Sequence, residues 1–98
     1  MAEKNHKNVL ELCNAILMLE DEKEAFNFLK DLCTPAELNA LAERWLICKY
    51  LHEGLSYREI NTKIGSSLTT IGRVSRFLKD EPYQGYTTLL QKLKQNKN

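Results

Sequence analysis

Apolar residues recur at helical spacing along most of the chain, and the alternation of β-branched residues that is typical of strands is missing. The first pattern places apolar side chains at i, i+3, i+4, i+7 and i+8, which are Val9, Leu12, Cys13, Ile16 and Leu17. A shorter pattern follows the acidic stretch Glu20–Glu24, and acidic residues suit a helix amino terminus because the partial charge there is positive. Its apolar band is wide, so we expect it to be covered on more than one side; it contains Ala25, Phe26, Phe28, Leu29 and Leu32.

Two further helices are marked by capping residues. Thr34-Pro35-Ala36-Glu37 can form a capping box with proline at the first helical position, and the helix that it begins should run to Gly54. Ser56-Tyr57-Arg58-Glu59 repeats the capping box immediately afterwards. Gly65 then ends this second helix after about two turns.

The remaining chain predicts two more helices. Ser66 or Ser67 caps the first of them, and Glu81-Pro82 closes it because proline disfavours a helical residue before it. The last helix carries Tyr86, Leu89, Leu90 and Leu93, and the tail from Gln91 should fray. The pattern as a whole therefore predicts an all-α protein of about six helices.

The segment from about residue 56 to residue 79 matches a helix-turn-helix, in which a turn of three or four residues, often with glycine, joins two short helices. The turn here is Gly65-Ser66-Ser67, and a glycine in the left-handed region can end the first helix and redirect the chain. Apolar side chains should hold the two helices at a fixed angle, namely Ile60, Ile64, Leu68, Ile71 and Leu78.

The face of the second helix that points away from this core combines small and cationic residues: Thr69, Gly72, Arg73 and Arg76, with Thr70 beside them. Threonine can bond phosphates or base edges, its methyl can contact thymine, and arginine can bind guanine through two hydrogen bonds. Gly72 would let the helix approach a groove closely, whereas glycine in an exposed helix otherwise costs roughly 1 kcal/mol relative to alanine. The backbone amides of Ser66 and Ser67 at the helix amino terminus would suit a phosphate.

The formal net charge of +1 conceals an asymmetry. Residues 1–43 carry four basic and nine acidic side chains, a net charge of −5, whereas residues 44–98 carry ten basic and four acidic ones, a net charge of +6. Between residues 56 and 79, Glu59 is the one acidic residue against five basic ones, which are Arg58, Lys63, Arg73, Arg76 and Lys79. A basic segment on a nearly neutral chain indicates a polyanionic partner, and a helix-turn-helix makes that partner double-stranded DNA.

Length and composition exclude several other classes of protein. Ninety-eight residues suit a single domain over residues 1–98, and 43% apolar with 28% charged residues is ordinary for a soluble globular chain. No apolar run approaches the roughly 20 residues that span a bilayer, and no secretion signal is visible, so we expect a cytoplasmic protein. Three cysteines without a C-x-x-C pair, and two histidines far from any cysteine-and-acid cluster, favour neither a disulfide framework nor a metal site.

An enzyme and a protein-interaction module are the two alternatives to a DNA-binding protein. An enzyme is disfavoured because no nucleophile stands beside a base at a telling spacing, no phosphate loop is present, and the acidic pair Asp80-Glu81 lies at a helix end. The alternative function is a helical protein-interaction module in a transcription or replication complex, with the acidic first helices or Trp45 as contacts. Short helices with a glycine turn also occur in bundles that bind no ligand, so the charge asymmetry and the small outward side chains favour DNA.

From about Leu32 to Leu93 the chain resembles the Trp repressor superfamily, and more closely its Trp repressor-like YerC/YecD group. The resemblance rests on LCTPAELNALAERW, on LHEGLSYREINTKIGSSLTTIGRVSRFLK, and on a proline shortly before the last amphipathic helix. It implies transcription regulation by an intertwined homodimer on a palindromic operator, with two recognition helices in successive major grooves about 34 Å apart, a geometry for which Trp repressor itself is a reference example. By position, the residues at or near DNA are Arg58, Asn61, Ser67, Thr69, Thr70, Gly72 and Lys79.

The tryptophan corepressor site of the family corresponds to Thr34, Arg44 and Arg73, which are all of a matching type. Two guanidiniums can flank a planar ring, and one can also bind a carboxylate. Two neighbouring positions depart from the pattern, since a glycine of the tryptophan-binding protein is Val74 here and a serine is Phe77. Both side chains would occupy the volume of an indole ring, so the sequence disfavours tryptophan and leaves open a different small-molecule corepressor or none.

Each of the three matching residues also has a second interpretation. Thr34 is the cap of a helix, Arg44 can pair with a nearby acid on the same helix face, and Arg73 can contact a DNA phosphate instead of an effector. The sequence does not choose between the two roles of Arg73. It also does not name the operator, the regulated genes or the direction of regulation.

Overall fold

Six helices account for most of the chain in the computed structural model, which describes the backbone of residues 2–96 and the side chains from residue 5 onward. They are α1 (Ala2–Leu17), α2 (Glu22–Leu32), α3 (Pro35–His52), α4 (Tyr57–Ile64), α5 (Leu68–Lys79) and α6 (Gly85–Asn96). Residues 2–96 contain no strand, which confirms the predicted all-α class. Within the same range no helix has both the length and the apolar character needed to cross a bilayer.

The helices begin and end close to the residues that the sequence marks. At the start of α3 the predicted capping box is present: the Thr34 amide donates to the Glu37 carboxylate at 2.8 Å, and the Glu37 amide donates to the Thr34 hydroxyl at 3.1 Å. The predicted fraying from Gln91 is wrong as far as Asn96, where α6 ends. Glutamine, lysine and leucine fill most of this stretch, and all three are good helix formers. The last part of the predicted tail, residues 97 and 98, lies outside the described residues.

The chain divides into two compact units, one up to Leu38 and one from Asn39 onward. In the first unit α2 contains no buried residue, and Phe26 is 59% exposed. Large apolar side chains of α1 are exposed as well: Val9, Leu10, Leu12, Ile16 and Leu17. In a single chain the apolar band of α2 is therefore not buried, although its width predicts packing on more than one side. One domain over residues 1–98 stays a prediction.

The second unit has a small apolar core that joins the carboxyl-terminal half of α3 to the three following helices. Its buried members are Ile47, Cys48, Ile60, Ile71, Val74 and Leu90. Each aliphatic side chain that is fully buried stabilises the fold by roughly 1.5–3 kcal/mol. Burial raises the pKa of the Cys48 thiol to about 11. Cys48 therefore stays neutral and behaves as a small apolar side chain, whereas Cys13 is exposed and Cys33 is half-buried.

Capping and a left-handed glycine determine the corner between α4 and α5. At Ser56 the capping box is complete, and hydrogen bonds from the Ser56 backbone and side chain hold the pKa of the Glu59 carboxyl below its ordinary value. Gly65 ends α4 with a φ of 75°, and its amide donates to the Asn61 carbonyl at 2.9 Å. Ser67 caps α5 through its hydroxyl, which accepts from the Thr70 amide at 3.1 Å. Two short capped helices joined by a three-residue turn therefore lie at the predicted place.

One residue predicted for this core lies outside it. Leu68 is 57% exposed, whereas Ile60 and Ile71 are fully buried and Ile64 and Leu78 pack against the core as partly buried side chains. Leu68 is the first residue of α5, and a helical side chain leans toward the helix amino terminus. Its side chain therefore leans toward the turn and is not buried in the core. The buried apolar stripe of α5 begins at Ile71 and does not extend back to Leu68.

Two glycine substitutions should have opposite effects on the free energy of unfolding. Gly65→Ala should lower it by about 1 kcal/mol, because a β-carbon is strained at a positive φ. Gly72→Ala should raise it by roughly 0.5–1 kcal/mol, since this glycine lies within α5 and an added β-carbon would meet no atom within 4 Å. Denaturant unfolding of both variants at one protein concentration measures the pair, and a shift of the same sign in both would contradict this description of the corner.

Candidate nucleic-acid interface

Helix α5 has one buried face and one exposed face. Ile71, Val74 and Ser75 are buried on the first. On the second, Thr69, Arg73, Arg76 and Lys79 are exposed, and Thr70 and Gly72 are half-buried. All six predicted contact residues on this helix therefore remain at least partly accessible.

The surroundings of Gly72 give no packing reason for a glycine. A β-carbon built at this position would have no other atom within 4 Å, apart from the local helix backbone. The residue also has ordinary helical geometry, since its φ does not lie in the left-handed region. The missing side chain therefore leaves bare backbone on the exposed face, where a flat or grooved partner could come close.

The amino terminus of α5 is organised by hydroxyl groups. The Ser67 hydroxyl accepts from the Thr70 amide and donates to the Thr70 hydroxyl oxygen at 3.0 Å. The Thr70 hydroxyl therefore keeps its own proton for an outside acceptor, such as a phosphate or a base edge. Leu68 and Thr69, at the first two positions of the helix, have amides without an intrahelical partner, as is general at helix starts.

Two further predicted DNA contacts, Ser66 and Asn61, also form hydrogen bonds within the protein. Ser66 is only 3% exposed, and its hydroxyl donates to the Glu43 carboxylate at 2.7 Å. The Asn61 side-chain amide donates to the Ser66 carbonyl at 2.8 Å. Ser66 can thus offer an outside partner no more than backbone, whereas Asn61 is exposed and keeps its carbonyl oxygen and one N–H. Glu43 has no signal in the sequence that relates it to this site, because 23 residues separate it from Ser66 and no local pattern connects them.

The basic side chains of this surface have different surroundings. The guanidinium carbons of Arg73 and Arg76 lie 4.3 and 5.0 Å from the centre of the Phe77 ring. Arg76 also lies near Glu81, with 3.7 Å between Nε and Oε1, and this is the one ion pair within 4.0 Å among the described side chains. Arg58 and Lys79 are exposed, and neither is in an ion pair within 4.0 Å among the described side chains.

The three candidate effector residues also have structural roles or neighbours. The Thr34 hydroxyl is part of the capping box of α3. Arg44 is half-buried, and the ion pair considered for it is absent from the described residues. Arg73 packs over Phe77, and Val74 belongs to the apolar core with 1% of its surface exposed.

An open cavity of about 350 Å³ borders the carboxyl-terminal half of α5 and the start of α6. Its lining residues are Arg73, Val74, Phe77, Tyr83, Gln84, Gly85, Tyr86 and Leu89. Both residues that depart from the corepressor pattern line it, and the Phe77 ring is held there beneath two arginines. In the part of the chain whose side chains are described, no group of three or more histidine, cysteine or acidic residues could hold a metal ion.

A family model, a related sequence and two solved structures all relate this chain to the Trp repressor family. The family model described as Trp repressor protein matches residues 7–94. An uncharacterised protein of Bacillus subtilis, YerC, is 43% identical over 72 residues, which cover 74% of this chain and 69% of YerC.

Two crystal structures share the fold. A TrpR-like protein from Eubacterium eligens has 38% identity and a TM-score of 0.82, with 89% of each chain covered. A protein from Staphylococcus aureus, described as a candidate Trp repressor, has 35% identity and a TM-score of 0.83, with 90% of this chain and 87% of the other covered. Sequence, fold and the helix-turn-helix corner agree, and the chain therefore belongs to the Trp repressor family.

Proposed function

We propose that the protein is a sequence-specific DNA-binding transcriptional regulator, a repressor that acts in the cytoplasm as a helix-turn-helix homodimer on a palindromic operator. The observation that carries the proposal is the exposed face of α5, where a glycine without a packing partner lies between threonines and arginines. The proposal assigns no catalytic activity to the chain.

Phosphate contacts and base contacts would fall to different residues of the interface. Arg58 at the start of α4 and Lys79 at the end of α5 are long exposed cations, which suit phosphates because such contacts tolerate some freedom of position. Thr69, Thr70 and Arg73 lie around the bare backbone of Gly72, where side chains can reach base edges once the helix is in the major groove. Affinity would come mainly from the first group and sequence discrimination from the second.

The homodimer is supported by the apolar surface of the first unit. Phe26, Val9 and Leu17 are large apolar side chains that a single chain leaves exposed, and their burial against a second chain would be favourable. Residues 1–43 are acidic and residues 44–98 are basic, so a second copy offers charges of the opposite sign to each half. A dimer would also present two recognition helices, as helix-turn-helix proteins require for a palindromic site.

The same apolar surface also favours the second candidate function, a helical module that binds a different protein. The two functions make different demands on α5. A protein-interaction module would keep its partner after Thr69→Ala and Thr70→Ala, whereas a DNA-binding protein would lose discrimination between duplex sequences.

Tryptophan is an unsuitable corepressor for this chain. Val74 cannot vacate its position without opening the apolar core, and the Phe77 ring is already covered by the guanidinium of Arg73, one of the two that a planar ligand would need. The proposed regulator therefore binds its operator without tryptophan, either with no cofactor or with a small-molecule corepressor of another shape.

Salt dependence separates the proposed phosphate contacts from other cations. Arg58→Ala and Lys79→Ala should weaken binding to every duplex, and each should flatten the slope of log affinity against log salt by about 1.8 per dimer, since each neutralised phosphate contributes roughly 0.9. Fluorescence anisotropy of a labelled duplex at several salt concentrations measures both quantities.

Lys23→Ala is the matched control, because it removes the same charge from α2, outside the helix-turn-helix. It should leave the slope unchanged. The proposal fails if the wild-type protein binds no duplex at low salt, with or without cell extract, or if the control flattens the slope as much as the two interface variants do.

Added L-tryptophan should change neither the affinity for a selected duplex nor the midpoint of thermal unfolding. The physical reason is that a ligand stabilises only a state that it binds, and the Val74 and Phe77 side chains would occupy the volume of the ring. Leucine at the same concentration controls for non-specific effects. Tighter operator binding or a raised midpoint with tryptophan alone would show that the cavity accepts the indole ring after all.

A further inference from the structure

The turn between α4 and α5 is tied to two other helices through Ser66. Its hydroxyl donates to the Glu43 carboxylate of α3 at 2.7 Å, and its carbonyl accepts from the Asn61 side chain of α4 at 2.8 Å. Ser66 itself is almost completely buried. One residue of the turn thus connects α3 and α4 through hydrogen bonds, one position before the cap of α5.

The bond between Ser66 and Glu43 is a strong one for its kind. A hydroxyl that donates to a carboxylate at this distance forms a charge-assisted hydrogen bond, which is stronger than a bond between neutral groups. A buried hydroxyl that loses its acceptor is left unsatisfied, and such a state is avoided in folded proteins. Movement of the turn away from α3 would break the bond, so Glu43 restrains the turn.

The restraint lies next to the part of α5 that would contact base edges in the proposed complex with DNA. Ser66 immediately precedes Ser67, the cap of α5, and the first two helical residues are Leu68 and Thr69. A shift of the turn would be transmitted to the helix start and to the residues next to it. Base contacts require placement within about 0.5 Å, whereas long cationic side chains can follow a phosphate over a larger distance.

We infer that Glu43 is a positioning residue of the proposed DNA-binding site, which holds the start of the recognition helix through Ser66 and thereby determines discrimination between duplex sequences. The inference rests on the proposed function. It concerns specificity, since Glu43 itself carries the wrong charge to attract a phosphate and is exposed on its remaining side.

The negative charge of Glu43 offers a competing explanation that the experiment must separate. A carboxylate close to the start of α5 repels DNA phosphates, so its removal could change affinity through charge alone. Glu43→Gln and Glu43→Ala both remove the charge, but only glutamine keeps an oxygen that can accept from the Ser66 hydroxyl. The two variants therefore form a matched pair.

The test measures the specificity ratio, which is the affinity for a duplex selected from a random pool divided by the affinity for a scrambled duplex of equal length. Glu43→Gln should keep the ratio within about twofold of wild type, whereas Glu43→Ala and Ser66→Ala should lower it about a hundredfold, the loss expected for one impaired base contact in each copy of the dimer. Affinity for the scrambled duplex should be the same in the glutamine and alanine variants of Glu43. Ser66→Ala also keeps the test valid if Glu43→Ala does not fold.

Amide hydrogen exchange without DNA provides the second measurement. Ile71 donates to the Ser67 carbonyl at 3.1 Å in the first turn of α5. Exchange of this amide should accelerate in Glu43→Ala and stay at the wild-type rate in Glu43→Gln. If wild type binds no duplex, the proposed function is wrong, and the exchange rates still decide whether Glu43 positions the helix.

Three results would overturn the inference. An unchanged specificity ratio in both alanine variants would show that the turn needs no restraint from α3. Equal losses in Glu43→Gln and Glu43→Ala would assign the effect to charge. Equal exchange rates of the Ile71 amide in the two Glu43 variants would show that the hydrogen bond does not hold the start of α5.

Discussion

Helix α5 has twelve residues, and it must bury one face in the core while the opposite face stays open to solvent. The rest of the structure depends on this constraint. Ile71 and Val74 meet the first half of it by packing with Ile60, Ile47 and Leu90. Since this core is small, the hydrogen bond between Glu43 and the turn and the cap bond at the start of α5 add to the restraint on the helix. The exposed half can then consist of small and cationic residues that contribute little to stability.

Local signals in the sequence were sufficient to predict most of this corner. Capping boxes at Thr34 and Ser56 and the left-handed Gly65 involve residues at most five positions apart, so their geometry can be inferred from residue type alone. Helical spacing predicts Leu68 in the core, and this prediction is wrong. The spacing does not show that the first turn of α5 extends beyond the helices that pack against it. The bond between Glu43 and Ser66 could not be predicted, because it depends on how α3 lies against the turn.

The first unit shows the limit of sequence patterns in another way. The periodicity of α1 and α2 correctly indicates helices, but it gives no information on what covers their apolar faces, and α2 has no buried residue within one chain. In the proposed homodimer a second copy would cover these faces, since residues 1–43 are acidic and residues 44–98 are basic. In that arrangement the apolar first unit and the recognition corner have separate tasks: one brings two copies together, and the other contacts the operator.

Chemical footprinting on a duplex selected from a random pool tests most directly whether the exposed face of α5 lies in the major groove. Methylation of guanine N7 reports that groove, and hydroxyl radicals report the backbone. We expect two protected regions about one helical turn apart on one side of the duplex, and each should include major-groove positions. The Gly72→Leu variant should lose the major-groove protection. Protection confined to the minor groove, or a footprint that Gly72→Leu leaves unchanged, would contradict it.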